Sequence, residues 1–339
     1  MKNIIYLLSI ILIVSCSGDK KDEQKNDKNK EVKKAEIVKG NLKSLEYNFN
    51  KGQTFKYRLN TVLNNFQSVQ TDTLIKANMS QNSTYVFNFK VLDVDKQNIA
   101  TISLTPVSIY VKSNINGQTA LYDSRVLYSL REKAMFADYE ALKNRSYKVK
   151  VSSFGEVLDI FDADRIINEI WNLQGIKDSL SKDQKNMFKR NFVLSGLAPI
   201  TEQLFRTVTK EKVGINSTWE QKYPSNLGSL NITNTASFKI LHFYKEKDDS
   251  IAKIQASLST AWTGNNTATE QGVTYTFSNP NISGSGEIYY NLAKKLVQRS
   301  QTKINSETEV TMKGLDASKK EVKATKKEKI DTVNKLELL

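Results

Sequence analysis

The sequence predicts an α+β fold, mainly antiparallel β, in which two β-rich regions flank a helical segment at about residues 125–212. Three observations carry this reading. Apolar and polar residues alternate through 46–115, the period of a strand with one buried face. The pattern shifts toward a 3.6-residue period through much of 125–212. Alternation then returns from about residue 217 and runs to the C-terminal region.

Ahead of these regions stand forty residues of a different kind. Met1-Lys2-Asn3 is a short positive start, and Ile4 to Val14 is an apolar run interrupted only by Ser9. This run is short of the roughly 20 residues needed to cross a hydrocarbon core, and it suits the apolar part of a secretory signal peptide. Ile13-Val14-Ser15-Cys16 then resembles a bacterial lipobox, with a branched residue at −3, a small one at −1 and a thiol to carry diacylglycerol. Residues 1–15 are therefore expected to be a lipoprotein signal peptide and Cys16 to be acylated. An ordinary signal peptide with an incidental cysteine is the alternative. Cys16 is the only cysteine, so the fold has to stand on packing without a disulfide.

Residues 17–40 hold eight Lys and six Asp or Glu with few apolar side chains. Such a segment cannot bury enough surface to offset its ordering entropy, and 16–40 reads as a lipidated Cys and a disordered tether. Its reach as a random coil is on the order of 25–30 Å. Lys21-Asp22-Glu23 resembles the Lys-acid-acid export tag of surface lipoproteins of Bacteroidota. The expected address is the outer membrane, on either its cell-surface or its periplasmic face, and the expected first partner is outer-membrane lipid through the Cys16 acyl chains.

Of the formal charge of +14, residue Lys2 carries one unit, 17–40 two and 313–339 three, which leaves +8 on 41–312. A diffuse positive field favours acidic partners and anionic head groups. No basic-aromatic module of a nucleic-acid binder is present, so no nucleic-acid partner is expected. Only Pro106, Pro199, Pro224 and Pro280 occur, and no Gly/Ser/Pro linker divides the chain. Residues 41–312 are read as a single β-rich body and 313–339 as a final strand or a basic tail.

Along the body, Phe55, Tyr57, Leu59 and Thr61 share one face of a strand, and Tyr85, Phe87, Phe89 and Val91 share another. Residues 98–111 are rich in β-branched side chains. Residues 125–144 read as a helix whose stripe includes Val126, Leu127, Leu130, Ala137, Ala141 and Leu142, with Asp123 or Ser124 as its N-cap. Residues 145–160 read as strand-turn-strand around Gly155. Helices follow, with a stripe of Ile166, Ile167, Ile170 and Trp171, an Asp162 cap, and a capping box at Ser181-Lys182-Asp183-Gln184. The later strands are read at 217–223, 235–244, 250–262, 272–278, 306–312 and 328–338, with "SGSGE" (283–287) as a turn. Phe89-Lys90-Val91-Leu92 before Ile99–Ile102 matches Phe238-Lys239-Ile240-Leu241 before Ile251–Ile254, which suggests a duplicated β unit.

The inventory for chemistry is poor. His242 is the only histidine and sits in a strand-like run. A Ser/His/acid triad would have to use it, yet no G-x-S-x-G elbow supplies the serine. Zinc would need His or Cys ligands in number. Asp159, Asp162 and Asp164 lack the spacing of a calcium loop. The expectation is a chain that is not an enzyme, with no metal and no cofactor, binding either an apolar ligand or an envelope protein partner. Tyr85, Phe87, Phe89, Trp219, Phe238, Trp262 and Tyr289 are expected to be ordinary core in the first instance, with the lining of an apolar cavity between sheet and helices as the alternative. The alternative reading is a carboxylate-dependent hydrolase at the cell envelope.

The lipobox at Cys16, "FNKGQTFKYRLNT", "LYDSR", "SSFGEVLDI" and "VGINSTWEQ" together resemble an uncharacterised lipoprotein family of Bacteroidota. The resemblance implies fold and address and brings no activity.

Overall fold

The computed structural model describes residues 42–227, 230–315 and 320–339. The expected signal peptide, Cys16, the tether and Lys21-Asp22-Glu23 lie outside the described residues. Within them, fourteen strands form one antiparallel sheet. The first half holds β1 (Thr54–Gln70), β2 (Leu74–Val94), β3 (Ala100–Ile115), β4 (Gln118–Asp123), β5 (Tyr147–Val151) and β6 (Val157–Phe161). The second holds β7 (Thr218–Leu227), β8 (Leu230–Glu246), β9 (Asp249–Gly264), β10 (Thr267–Glu270), β11 (Val273–Phe277), β12 (Asn281–Asn291), β13 (Leu296–Leu315) and β14 (Glu321–Leu338). The main path runs β6-β5-β3-β2-β1-β14-β13-β12-β9-β8-β7.

The inner face carries the expected stripes. Tyr57 and Leu59 of β1 and Tyr85, Phe87, Phe89 and Val91 of β2 are buried. Against them pack α2 (Ala137–Leu142), α3 (Asp164–Gln174), α4 (Lys182–Asn191) and α5 (Ala198–Leu204), while α1 (Leu130–Met135) lies against α2 and α3 and adds nothing to the core. Between α4 and α5 the helix widens into a π-helical stretch, Phe192–Leu197. Pro199 follows directly; it has no N–H to donate, and its ring crowds the carbonyl one turn earlier, which a widened turn relieves.

The sheet curls tightly around these elements. Tyr47 N donates to Ser153 O, just beyond β5, at 2.7 Å, while Tyr290 of β12 donates its hydroxyl to Glu46 O at 2.7 Å. β5 and β12 lie six places apart on the path, so in a flat sheet they would be roughly 29 Å apart at about 4.8 Å per strand. One short run can reach both only because the sheet closes on itself. Burial pushes the Tyr47 phenol up to about 12, and Tyr57 and Tyr290 are raised by burial as well. These hydroxyls serve as fixed donors to carbonyls of distant segments, Tyr57 to Val297 O at 2.6 Å among them.

The two halves share one local plan. Val91 accepts from Gly52 N and donates to Gln53 O, and Ile240 accepts from Asn216 N and donates to Ser217 O. Gly52 and Asn216 both have positive φ, 85° and 66°. The register slips at Val91/Asp93 in β2 and at Ile240/His242 in β8, one residue beyond in each case. Phe55 stacks on Phe89 at 4.7 Å, as Trp219 stacks on Phe238 at 5.2 Å. The β5–β6 and β12–β13 pairs carry matching bulges, at Lys150/Val151 and Tyr289/Tyr290.

Several expectations are corrected. "SGSGE" is no turn: 283–287 lies inside β12, where Gly286 lets the backbone run so close to β13 that a Cβ would sit 2.8 Å from Thr302 Cγ2. A boundary at 312/313 falls inside β13, and the C-terminal region is the strand β14, placed between β1 and β13. Asp162 does not cap α3; its φ of 58° turns the carboxylate toward Lys148, 2.9 Å away, and the N-cap is Ala163 with no side-chain bond. Neither Asp123 nor Ser124 caps α1, whose N-cap is Ser129 in a capping box with Glu132. The Ser181–Gln184 box forms as expected.

Two glycines at positive φ give a direct test of packing against backbone freedom. At Gly52 a Cβ meets nothing within 4 Å, whereas at Gly155 it would fall 2.5 Å from Arg206 O and 2.8 Å from Tyr47 Cε2. Gly52→Ala is expected to cost about 1 kcal/mol for its left-handed backbone alone. Gly155→Ala is expected to cost more than about 2 kcal/mol, because a backbone carbonyl must move as well. Urea unfolding of the two variants measures both; equal losses would contradict the packing described at Gly155.

Candidate binding surface

Of the two uses expected for the aromatic residues, core or cavity lining, most serve as packed core. Tyr85, Phe87, Phe89 and Phe238 are buried, and Trp219 is stacked on Phe238. Trp262 is partly exposed, and Tyr289 lies on the outer face, with the Arg299 guanidinium 4.0 Å above its ring. None of these lines either of two open cavities, of about 540 and 560 Å³, that lie along the outer face.

That outer groove follows from strand length. β1, β2, β13 and β14 run on well past the last fully buried positions of the core, and their outer residues are polar. Asn64, Asn281, Ser283, Lys303 and Asn305 line the groove beside Val62 and Val333. Two cross-strand pairs, Lys327 with Glu309 at 3.0 Å and Lys329 with Glu307 at 2.6 Å, form part of its wall. The result is a trough of amides and paired charges, with Phe66 half exposed at one end.

The charged groups expected for chemistry are engaged singly. His242 lies at the β8 bulge, its ring 5.6 Å from Tyr244. Beside it Arg299 binds Glu246 at 2.8 Å, and Lys253 binds Glu287 at 2.6 Å. Burial opposes the Glu287 charge, but hydrogen bonds from Lys253 and Tyr289 outweigh it and hold the carboxyl below its usual range. Asp162 pairs with Lys148 and Asp164 with Lys189, while Asp159 is exposed on β6. Burial raises the Asp138 and Glu202 carboxyls, which lie on different helices, α2 and α5. Among the described residues no group of three or more His, Cys, Asp or Glu is placed to hold a metal ion.

The least expected feature is the "LYDSR" turn. Val126, Leu127 and Leu130 were expected in the buried stripe of a helix, and they are exposed instead, Leu127 by 94% and Leu130 by 83%. The buried positions of the segment are Ala137, Ala141 and Leu142. Each leucine left in water forgoes roughly 2 kcal/mol of burial, and the turn is nonetheless firmly built. Arg125 binds Asp123 through Nε at 2.9 Å and Nη2 at 2.6 Å. Ile109 N donates to Ser124 Oγ at 3.0 Å, and Ser124 N donates back to Ile109 O at 2.8 Å. The Tyr128 hydroxyl accepts from Asp123 N at 2.8 Å, and its ring stacks on buried Tyr122 at 5.4 Å. The signal for this was present in the sequence: Ser129-x-x-Glu132 is a capping box, and it starts the helix at Leu130, leaving Val126 and Leu127 outside.

These surfaces define a curled antiparallel β protein with a packed core and its unusual features on the outside. Residues 97–297 match a family described as "Family of unknown function (DUF6263)", and the chain belongs to that family. No curated protein matches the sequence. Among solved structures, one described as lipid–protein interactions in lipovitellin is 11% identical over 86% of this chain and 25% of its own, with a TM-score of 0.40. This chain thus spans about a quarter of the length of that one. An outer membrane channel from Pseudomonas putida F1 is 8% identical over 87% of this chain and 98% of its own, at 0.22. Pseudomonas aeruginosa OccK5 is 7% identical over 84% and 98%, at 0.20.

The Asp123 carboxyl supplies a pH test of the turn. Hydrogen bonds from the Arg125 side chain and backbone lower it to about 2. A depressed folded value means that its contribution is complete above the ordinary carboxylate value of about 3.9, and is lost as pH falls from there through about 2. In a carbon-detected NMR titration Asp123 should titrate near 2 in the folded chain, and Arg125→Gln should bring it back toward the ordinary value.

Proposed function

We propose that this chain is a non-catalytic lipoprotein of the outer membrane of Bacteroidota, anchored through acylated Cys16, whose sheet binds a protein partner in the envelope. The observation that carries the binding mode is the packed core: most of the aromatic residues able to line a ligand cavity are buried or stacked, and two open cavities lie on the outer face. A trough of amides and paired charges suits a polar protein surface better than an acyl chain. Several carboxylates that an envelope hydrolase would need are held in separate ion pairs, which speaks against a shared acid–base pair. The lipobox at Cys16 and the tether to residue 40 support the anchor, and Lys21-Asp22-Glu23 supports export to the cell surface.

Two measurements test this reading. Native mass spectrometry of the Cys16→Ser chain, made in the periplasm and purified without detergent, should give the bare mass; a reproducible added mass in the range of a lipid would favour an apolar carrier instead. Metabolic labelling with an alkyne palmitate should mark the wild-type chain and not Cys16→Ser; equal labelling would remove the anchor.

A further inference from the structure

We propose that the turn from Asp123 to Leu130 is a membrane-docking tip that seats Leu127 and Leu130 in the interface of an anionic phospholipid bilayer. The proposal rests on the envelope reading only for the nearness of a membrane, and it does not require Cys16 to be acylated.

Display is the first argument. Leu127 and Leu130 are 94% and 83% exposed, with Val126 at 47% and Met135 at 68% beside them in sequence. Single exposed apolar residues are ordinary, but a group of them marks an interaction site. This group does not hang from a loose loop. The bidentate Asp123–Arg125 pair, the reciprocal Ser124–Ile109 bonds and the Tyr128 hydroxyl fix the turn from three sides. The Ser129–Glu132 box fixes the start of α1. The leucines are therefore held outward by a rigid base, and docking would cost little ordering entropy.

Charge is the second argument, and it selects the occupant. Of the acids nearest the exposed leucines, Asp123 faces Arg125, while Glu132 is held ionised by the Ser129 hydroxyl and N–H and offsets one of the two cations that flank it, Arg131 and Lys133. Arg131, Lys133 and Lys112 have no ion-pair partner among the described residues. An apolar tip with a net-positive rim matches a bilayer, where leucyl side chains enter the acyl boundary while cations stay among anionic head groups. The chain's net charge of +14 acts in the same direction at longer range.

Removing Cys16, the only cysteine, makes Leu127 addressable. The Cys16→Ser/Leu127→Cys chain, labelled with a polarity-sensitive bimane, should shift to the blue on mixed phosphatidylethanolamine–phosphatidylglycerol vesicles and much less on phosphatidylcholine alone. In sedimentation, Cys16→Ser should bind the anionic vesicles. Adding Leu127→Asp and Leu130→Asp should weaken binding at least about tenfold, with the melting temperature unchanged because both side chains are already exposed. Arg131→Gln/Lys133→Gln should weaken it and flatten its salt dependence. The proposal is overturned by an unshifted dye, by vesicle binding indifferent to the two leucines, or by a shift that depends on protein concentration without vesicles, which would mark a second copy. None of these outcomes bears on palmitate labelling of Cys16, so the tip and the anchor stand or fall separately.

Discussion

The structure depends on β14 lying between β1 and β13. Each half of the sheet is an antiparallel meander, and each would otherwise end in a long edge of unpaired N–H and C=O groups. β14 gives one ladder to β1, from Tyr57 with Leu338 to Gln70 with Thr325, and another to β13, from Arg299 with Glu337 to Leu315 with Glu321. Little of this comes from hydrophobic burial, because Leu336 is its only fully buried apolar side chain. Backbone bonds do most of the joining, and cross-strand pairs such as Arg58–Glu337 and Lys329–Glu307 each add a fraction of a kcal/mol. Glu328 accepts from both Asn65 and Gln67, which further favours the observed register over a slip by one residue. Contacts between residues so far apart in sequence close late, and they make this a slow-folding topology.

The shared plan of the two halves explains why β14 has a place to go. In the first half the fifth main strand, β6, is followed by helices that fold onto the inner face. In the second half the corresponding strand, β13, is followed by β14. One unit thus supplies the filling of the core and the other supplies the seam. The halves also differ on the outer face. Where β5 and β6 pair Lys150 with Asp159, β12 and β13 pair Tyr289 with Arg299, and an ion-pair cluster has grown around that stacked pair.

Much of this was legible in the sequence, and the exceptions have physical causes. Period-2 stripes such as Tyr85-Phe87-Phe89-Val91 gave the core strands, because burial of one face forces alternation. The Phe89–Leu92 and Phe238–Leu241 match pointed to a repeated β unit, and the register slips at Val91/Asp93 and Ile240/His242 fall at matching places within it. Gly286 misled because glycine marks a turn and a close approach of strands equally well, and only the neighbour, Thr302, distinguishes them. The Lys-rich β14 was ambiguous because a strand held by ladders needs no apolar stripe. At the site, Val126, Leu127 and Leu130 match a helical period, and only the Ser129–Glu132 box marks where that coincidence ends. The outer groove had no signal at all: it depends on curl, which no local pattern encodes.

Length explains why the surfaces available for binding lie apart from the elements that give stability. β2 has 21 residues, roughly 70 Å when extended, and only the part from Ser83 to Val91 alternates between buried and half-buried positions. Buried polar pairs mark the level where the apolar core ends: Thr61 donates to Asn334 at 2.9 Å, and Thr260 to Asn234 at 2.8 Å. Beyond that level the strands add little apolar packing, and their Lys, Glu and Asn side chains guard long hairpins against pairing with other chains. The "LYDSR" turn is placed by the same arrangement, since its bonds to Ile109 tie it to the last buried stretch of β3. Substitutions in the groove or at Leu127 therefore fall on surfaces that contribute little to the core, whereas Tyr57, Tyr290 and Gly155 hold the curl itself. A fold that separates the two in this way leaves its outer surfaces free to vary while the inner face stays constant.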